Sequence, residues 1–214
     1  MYSNDLELLV ENLGAQCLLN SYHLVIAESC TGGMICSAIT QISGSSQWFT
    51  QGFITYSDQS KIDLLGVSEG SLKSYGAVSQ QVANEMACGA LRRSQGSLSL
   101  SITGIAGPSG GTKTKPVGTV FFSVCDKKGM LFEHEAHFEG TRKEIREKAG
   151  FGNTPQLIIY RINGHTKLTK LRKDRSNLDL DSDVIGLLIR VPGKPKKSLV
   201  RSISVSIPEG AFLD

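Results

Sequence analysis

Apolar residues recur at helical spacing at Leu6, Leu9, Val10, Leu13, Cys17 and Leu18, predicting an opening helix, with Asn4 and Glu7 at capping-box spacing at its start. Residues 23–27, His-Leu-Val-Ile-Ala, form an apolar run of strand length. The helical period then returns at Met34, Ile35, Ala38, Ile39 and Ile42, predicting a helix over 31–43 that Ser43 and Gly44 close. A second strand is expected over 51–56. Ser57 then caps a short helix through Lys61 and Leu65 that Gly66 ends. Ser79 caps a helix carrying Val82, Met86 and Leu91, and residues 98–103 alternate as a strand feeding a glycine-rich loop from Gly104 to Gly111. Strands over 117–125 and 130–138 flank Lys127-Lys128-Gly129 as a hairpin, and Thr141 with Glu144 makes a capping box for a helix over 142–149.

Strands alternating with helices and ending in a hairpin predict an α/β fold, a three-layer α/β/α sandwich with a mixed sheet. Sites in such folds gather at the carboxyl ends of strands. Ser29, Lys61 and the Gly104 loop all fall at such ends.

Composition narrows the class. The 214 residues are 40% hydrophobic and 20% charged, as expected of an ordinary globular protein. No apolar run approaches membrane-spanning length, and the acidic, polar start lacks the pattern of a signal peptide, so the expected location is cytoplasmic, with no membrane partner. The five cysteines include no Cys-x-x-Cys pair and read as small reduced hydrophobes. His134 and His137 fall on opposite faces of a predicted strand, so no metal site is expected. Net charge is −2 over residues 1–149 and +5 over 150–214, but the basic charges of the tail are dispersed and argue against nucleic acid as a partner.

The chemistry centres on Glu28-Ser29-Cys30-Thr31-Gly32-Gly33, which places a hydroxyl between a strand and a helix. Unpaired N–H groups and the positive end of a helix dipole there favour an oxyanion or phosphate. Ser29 is a candidate nucleophile, and the alternative is that Ser29 or Thr31 simply caps the helix. Lys61 is the candidate base. It must then be neutral, and bringing it from about 10.4 to about 7 corresponds to about 4 kcal/mol of desolvation or charge repulsion. Tyr56 either relays a proton or packs in the core. Cys30 is a weaker rival nucleophile. The loop from Gly107 to Thr114 is no phosphate-binding P-loop, because Thr112 stands where glycine must precede the lysine and Pro116 with a strand follows. It is either a close-approach loop for a ligand or a plain surface loop.

Five ordered segments resemble the C-terminal domain of the bacterial CinA competence/damage-inducible family. They are Ala27 to Gly33, Tyr56 to Lys61, Gly76-Ala77-Val78-Ser79, Thr103 to Pro108 with Gly110-Gly111, and Lys115 to Val120. The resemblance covers about residues 5–149. It implies hydrolysis of the carboxamide of nicotinamide mononucleotide to nicotinate mononucleotide and ammonia, with a small-molecule nucleotide as substrate, no cofactor, and a homodimer as an admissible assembly. It also implies Ser29 as nucleophile, Lys61 as general base, Tyr56 as support for proton transfer, and backbone N–H groups of Cys30, Thr31, Gly32 and Gly33 at the oxyanion. Thr103 and Gly104 would line the substrate site and Arg142 would take the substrate phosphate. Thr141 departs from the acidic residue usual before that arginine, which leaves its support open.

A larger departure follows Ala149. Gly150-Phe151-Gly152-Asn153-Thr154-Pro155 predicts that the Arg142 helix stops, and strands are expected over 156–162, 184–191 and 199–207. The expected organisation is an amidase domain over 1–149 and an atypical tail over 150–214, read as a shifted reading frame or a small β-rich appendage. Two further functions stay open: a catalytically impaired nucleotide-binding remnant lacking its packing helix, and a Ser/Lys hydrolase of another amide.

Overall fold

Five strands pair in the order β2-β1-β3-β4-β5 in the computed structural model, which describes residues 4–129 and 131–162, all within one unit spanning Met1–His165. The elements run α1 (Asn4–Leu19), β1 (Leu24–Glu28), α2 (Met34–Thr40), β2 (Phe49–Ile54), α3 (Asp58–Leu65), α4 (Glu69–Tyr75), α5 (Gln80–Arg92), β3 (Leu98–Gly104), β4 (Thr119–Asp126), β5 (Leu131–His137) and α6 (Arg142–Glu147). A π-helical turn (Lys148–Asn153) then leads into α7 (Thr154–Ile162). Strand β1 is parallel to β2 and β3, while β4 is antiparallel to β3 and β5, so the sheet is mixed as expected.

Central strand β1 is buried along its whole length, which is why its sequence is an apolar run without alternation. Val25 and Ala27 pack with Phe53, Leu65, Val82 and Met86 on one face, the face of α3 and α5. Polar residues on β3 bind that layer too: Ser99 Oγ donates to the carbonyl of Ala87 at 2.7 Å and Ser101 Oγ to that of Ala83 at 2.6 Å. Gly89 brings α5 against the end of α3, where a Cβ would meet the Leu65 carbonyl oxygen. Among the described residues no helix is long and apolar enough to cross a membrane.

Local signals set several boundaries. Ser57 Oγ accepts from the Ser60 N–H and Gly66 closes α3 in the left-handed region, while Ser79 caps α5 and Thr141 with Glu144 forms the complete capping box of α6. Other boundaries moved. Strand β2 lies at 49–54 rather than 51–56, α2 begins only at Met34, and α4 was not foreseen. Asn4 already lies inside α1 rather than at its cap.

The main correction is at the carboxyl end. The helix expected to stop at Gly150 widens to π pitch and continues, and residues 156–162 are helical rather than a strand. Pro155, which has no N–H to donate, stands just after the π turn gives way to α7. Thr154 Oγ1 helps to satisfy the widened turn by donating to the carbonyl of Ala149 at 2.8 Å. Leu157, Ile158, Ile159 and Ile162 are buried, and α7 packs along α1, so tertiary burial overrides the strand propensity of these β-branched residues. The strands expected over 184–191 and 199–207 lie outside the described residues.

Ile158 is fully buried. Ile158→Ala should therefore lower unfolding free energy by about 2–5 kcal/mol in urea titrations, and a change near zero would mean that α7 does not pack as described.

Candidate active site

The central position of β1 fixes Ser29. Its N–H donates to the Ile102 carbonyl of β3 at 3.0 Å, and the preceding Glu28 carbonyl accepts from the Thr55 N–H at 2.8 Å, so the residue leaves the sheet held from both sides. Gly32 (φ +62°) and Gly33 (φ +93°) then turn the chain into α2 through the left-handed region, which explains the glycine pair. Neither Ser29 nor Thr31 caps α2. The buried carboxylate of Glu28 does so instead, accepting from the N–H groups of Gly33 (2.9 Å), Ile35 (3.3 Å) and Cys36 (2.9 Å). A carboxylate at a helix N-terminus is favoured by both hydrogen bonding and the dipole.

Lys61 comes from the second turn of α3, and its amine is buried at 1% exposure, 3.1 Å from Ser29 Oγ. Nζ also donates to the carbonyl of Thr55 at 2.8 Å and approaches that of Tyr56 at 3.4 Å. Desolvation drives the lysine pKa down, against smaller opposing effects from Asp58 and Cys30. An ammonium would donate to all three oxygens, whereas a neutral amine that donates to the two carbonyls would turn its lone pair to the Ser29 hydroxyl. That is the arrangement required of a general base.

Beside this pair lies a cavity of about 250 Å³ lined by Ser29, Cys30, Tyr56, Lys61, Ala77, Val78, Thr103, Gly104, Ala106 and Arg142. Of the residues predicted to bind substrate, Cys30, Thr103, Gly104 and Arg142 line the cavity, whereas Thr31, Gly32 and Gly33 are not among its lining residues. Two of the four N–H groups expected at the oxyanion are already engaged inside the turn: Gly32 donates to the Ser29 carbonyl and Gly33 to Glu28. The Cys30 thiol is pushed up to about 11 by burial, so it offers no thiolate at neutral pH.

Tyr56 is joined to Lys61 through its carbonyl. Its side chain is 63% exposed rather than in the core, and the hydroxyl accepts from Arg142 Nη2 at 3.0 Å at the wall of the cavity. Arg142 Nη1 also donates to the Gly107 carbonyl at 2.7 Å, and the arginine spans the cavity rim with that support in place of an acidic neighbour at 141. Thr103, expected at the substrate site, donates from Oγ1 to the Ala77 carbonyl at 2.8 Å. Lys115, to which sequence reasoning gave no site role, donates from Nζ to the Tyr75 and Val78 carbonyls at 2.7 Å each and so holds the segment that brings Ala77 and Val78 to the cavity wall. Glu28 and Arg146 hold the turn that follows Ser29, and their only sequence signals are adjacency to Ser29 and the four-residue step from Arg142.

Residues 6–151 match the model of the CinA C-terminal domain. The chain belongs to the CinA C-terminal domain family. A relative from Enterobacter agglomerans, nicotinamide-nucleotide amidohydrolase PncC, is 49% identical over 143 residues, 67% of this chain and 87% of the relative. The protein of the same name from Escherichia coli K12 is 42% identical over 149 residues, 70% of this chain and 90% of the relative. Among solved structures, a competence/damage-inducible protein of Agrobacterium tumefaciens aligns with a TM-score of 0.72 at 38% identity, covering 77% of this chain and 99% of that one.

Because Lys61 has a lowered pKa in the folded state, the unfolded chain binds the extra proton between that value and the ordinary lysine value. Wild-type stability should consequently rise with pH through this window. Urea unfolding of wild type and Lys61→Met at several pH values should show the difference moving in favour of wild type as pH increases; a pH-independent difference would contradict the lowered pKa.

Proposed function

We propose that this CinA-family chain hydrolyses the carboxamide of nicotinamide mononucleotide to nicotinate mononucleotide and ammonia, with Ser29 as nucleophile and Lys61 as general base. The observation that carries the reading is the buried amine 3.1 Å from Ser29 Oγ at the wall of a cavity. The names of the relatives supply the substrate.

In the first half-reaction Ser29 Oγ bonds to the carboxamide carbon while its proton passes to Lys61 Nζ. The resulting lysine ammonium then protonates the departing nitrogen, the C–N bond breaks, and ammonia leaves an ester on Ser29. Water, deprotonated by the now neutral lysine, attacks that ester and releases nicotinate mononucleotide and the free hydroxyl. The pyridinium ring of the substrate is cationic. A neutral lysine avoids repelling it, and the ring withdraws electrons from the carbonyl under attack. Arg142 at the rim, with donors beyond those engaged by Gly107 and Tyr56, suits the phosphate.

The alternative of a catalytically impaired nucleotide-binding remnant rests on a missing packing helix, and the packing of α7 along α1 supports the catalytic reading. No cofactor or metal enters these steps.

Purified protein should release ammonia from nicotinamide mononucleotide, and Ser29→Ala and Lys61→Met should each lower kcat by about a thousandfold or more. The acid limb of the pH–rate profile should report a group titrating below the ordinary lysine range. Full activity of Ser29→Ala would overturn the mechanism; tight nucleotide binding by an inactive wild type would favour a binding role.

A further inference from the structure

Arg146 follows Arg142 by four residues on α6, so the two side chains leave the same face of the helix. Arg142 goes to the cavity rim. Arg146 is half-buried and goes instead to the nucleophile turn, donating from Nε to the carbonyl of Cys30 at 3.0 Å and from Nη2 to the carbonyl of Thr31 at 2.8 Å. One planar cation thus grips two successive carbonyls from outside the turn, while the Glu28 carboxylate grips three N–H groups from within.

A trans peptide carries its C=O and N–H on opposite sides. The one cis bond among the described residues is Gly107-Pro108, so the peptides of this turn are trans. Drawing the Cys30 carbonyl toward α6 therefore turns the Thr31 N–H away from α6. The N–H of the next peptide, Gly32, is taken by the Ser29 carbonyl, and that of Gly33 by Glu28.

We propose that Arg146 is a positioning residue for the acyl-transfer step: by holding the carbonyls of Cys30 and Thr31 it aims the Thr31 N–H at the oxyanion formed when Ser29 adds to the substrate carbonyl. The inference rests on the reading of Ser29 as nucleophile. Donation to a peptide carbonyl also polarises that peptide and strengthens its N–H as a donor, so the cation acts on the oxyanion through the backbone. A lysine at 146 would lack the planar fork that reaches both carbonyls.

Two readouts separate this role from general support of the fold and from the choice of substrate. The first is kcat for ammonia release, compared with the Kd of nicotinamide mononucleotide measured by calorimetry in a Ser29→Ala background. The second is the rate at which a fluorophosphonate labels Ser29, in which the Oγ–P bond forms, fluoride leaves and the serine proton passes to Lys61. Arg146→Gln and Arg146→Lys should both lower kcat and labelling rate, the glutamine variant by about tenfold or more, with Kd within about twofold of the Arg146 parent. Added guanidinium ion should restore part of the labelling rate of Arg146→Ala. Labelling within about twofold of wild type in both substituted forms, or a loss of affinity that parallels the loss of kcat, would overturn the proposal. Wild type that labels with fluorophosphonate but releases no ammonia would sink the substrate reading alone, and labelling rates would still judge Arg146.

Discussion

A lysine amine shut away from water organises the carboxyl edge of this sheet. Burial penalises the charged form of Lys61, and its Nζ lies within hydrogen-bond reach of the Thr55 and Tyr56 carbonyls and of the Ser29 hydroxyl, a set that a neutral amine could fill with two N–H bonds and a lone pair. Each partner depends on the sheet. Thr55 and Tyr56 continue directly from β2, Ser29 continues from β1, and α3 is anchored by Ser57 at one end and Gly66 at the other so that Lys61 points back at both. Val25, Ala27, Phe53 and Leu65 pack in one apolar cluster beneath them, in keeping with the desolvation that lowers the Lys61 pKa.

The turn from Ser29 into α2 is held by opposite charges on its two kinds of backbone group. Glu28 satisfies N–H groups that open α2, and Arg146 satisfies carbonyls that would face α6. Such charge-assisted bonds are stronger than neutral ones and leave the turn little freedom. The helix carrying Arg146 is in turn fixed at its start by the Thr141–Glu144 capping box and beyond its end by α7, which buries isoleucines against the same domain. Packing far from the cavity therefore bears on the geometry of Ser29, which is why the continuation past Gly150 matters to function.

Legibility in the sequence followed the range of the physics. Caps are local, and Ser57, Gly66, Ser79 and Thr141 with Glu144 all mark their helices where expected. The apolar run of β1 and the carboxyl-edge placement of Ser29 and Lys61 were equally legible, because a buried central strand needs no partner to be read. Edge strand β2 was displaced by two residues because its exposed positions blur the period, and α4, with no buried residue, left no apolar signature. Leu157 to Ile162 looked like strand because β-branched residues are poor helix formers, a preference that packing against α1 outweighs. Tyr56 illustrates a different limit: sequence proximity to Lys61 was real, but the contact is made by its carbonyl while the side chain turns to Arg142, 86 positions away. Glu28 and Arg146 were silent for the same reason, since their roles reside in which backbone groups they meet.

The central claim is that Lys61 is a neutral base held against Ser29, and titration of the Lys61 side-chain nitrogen by 15N NMR in the intact protein tests it most directly. The account predicts a midpoint clearly below the ordinary lysine value of about 10.4, with the neutral amine as the form facing the serine. A Lys61 that titrates at the ordinary value would contradict it.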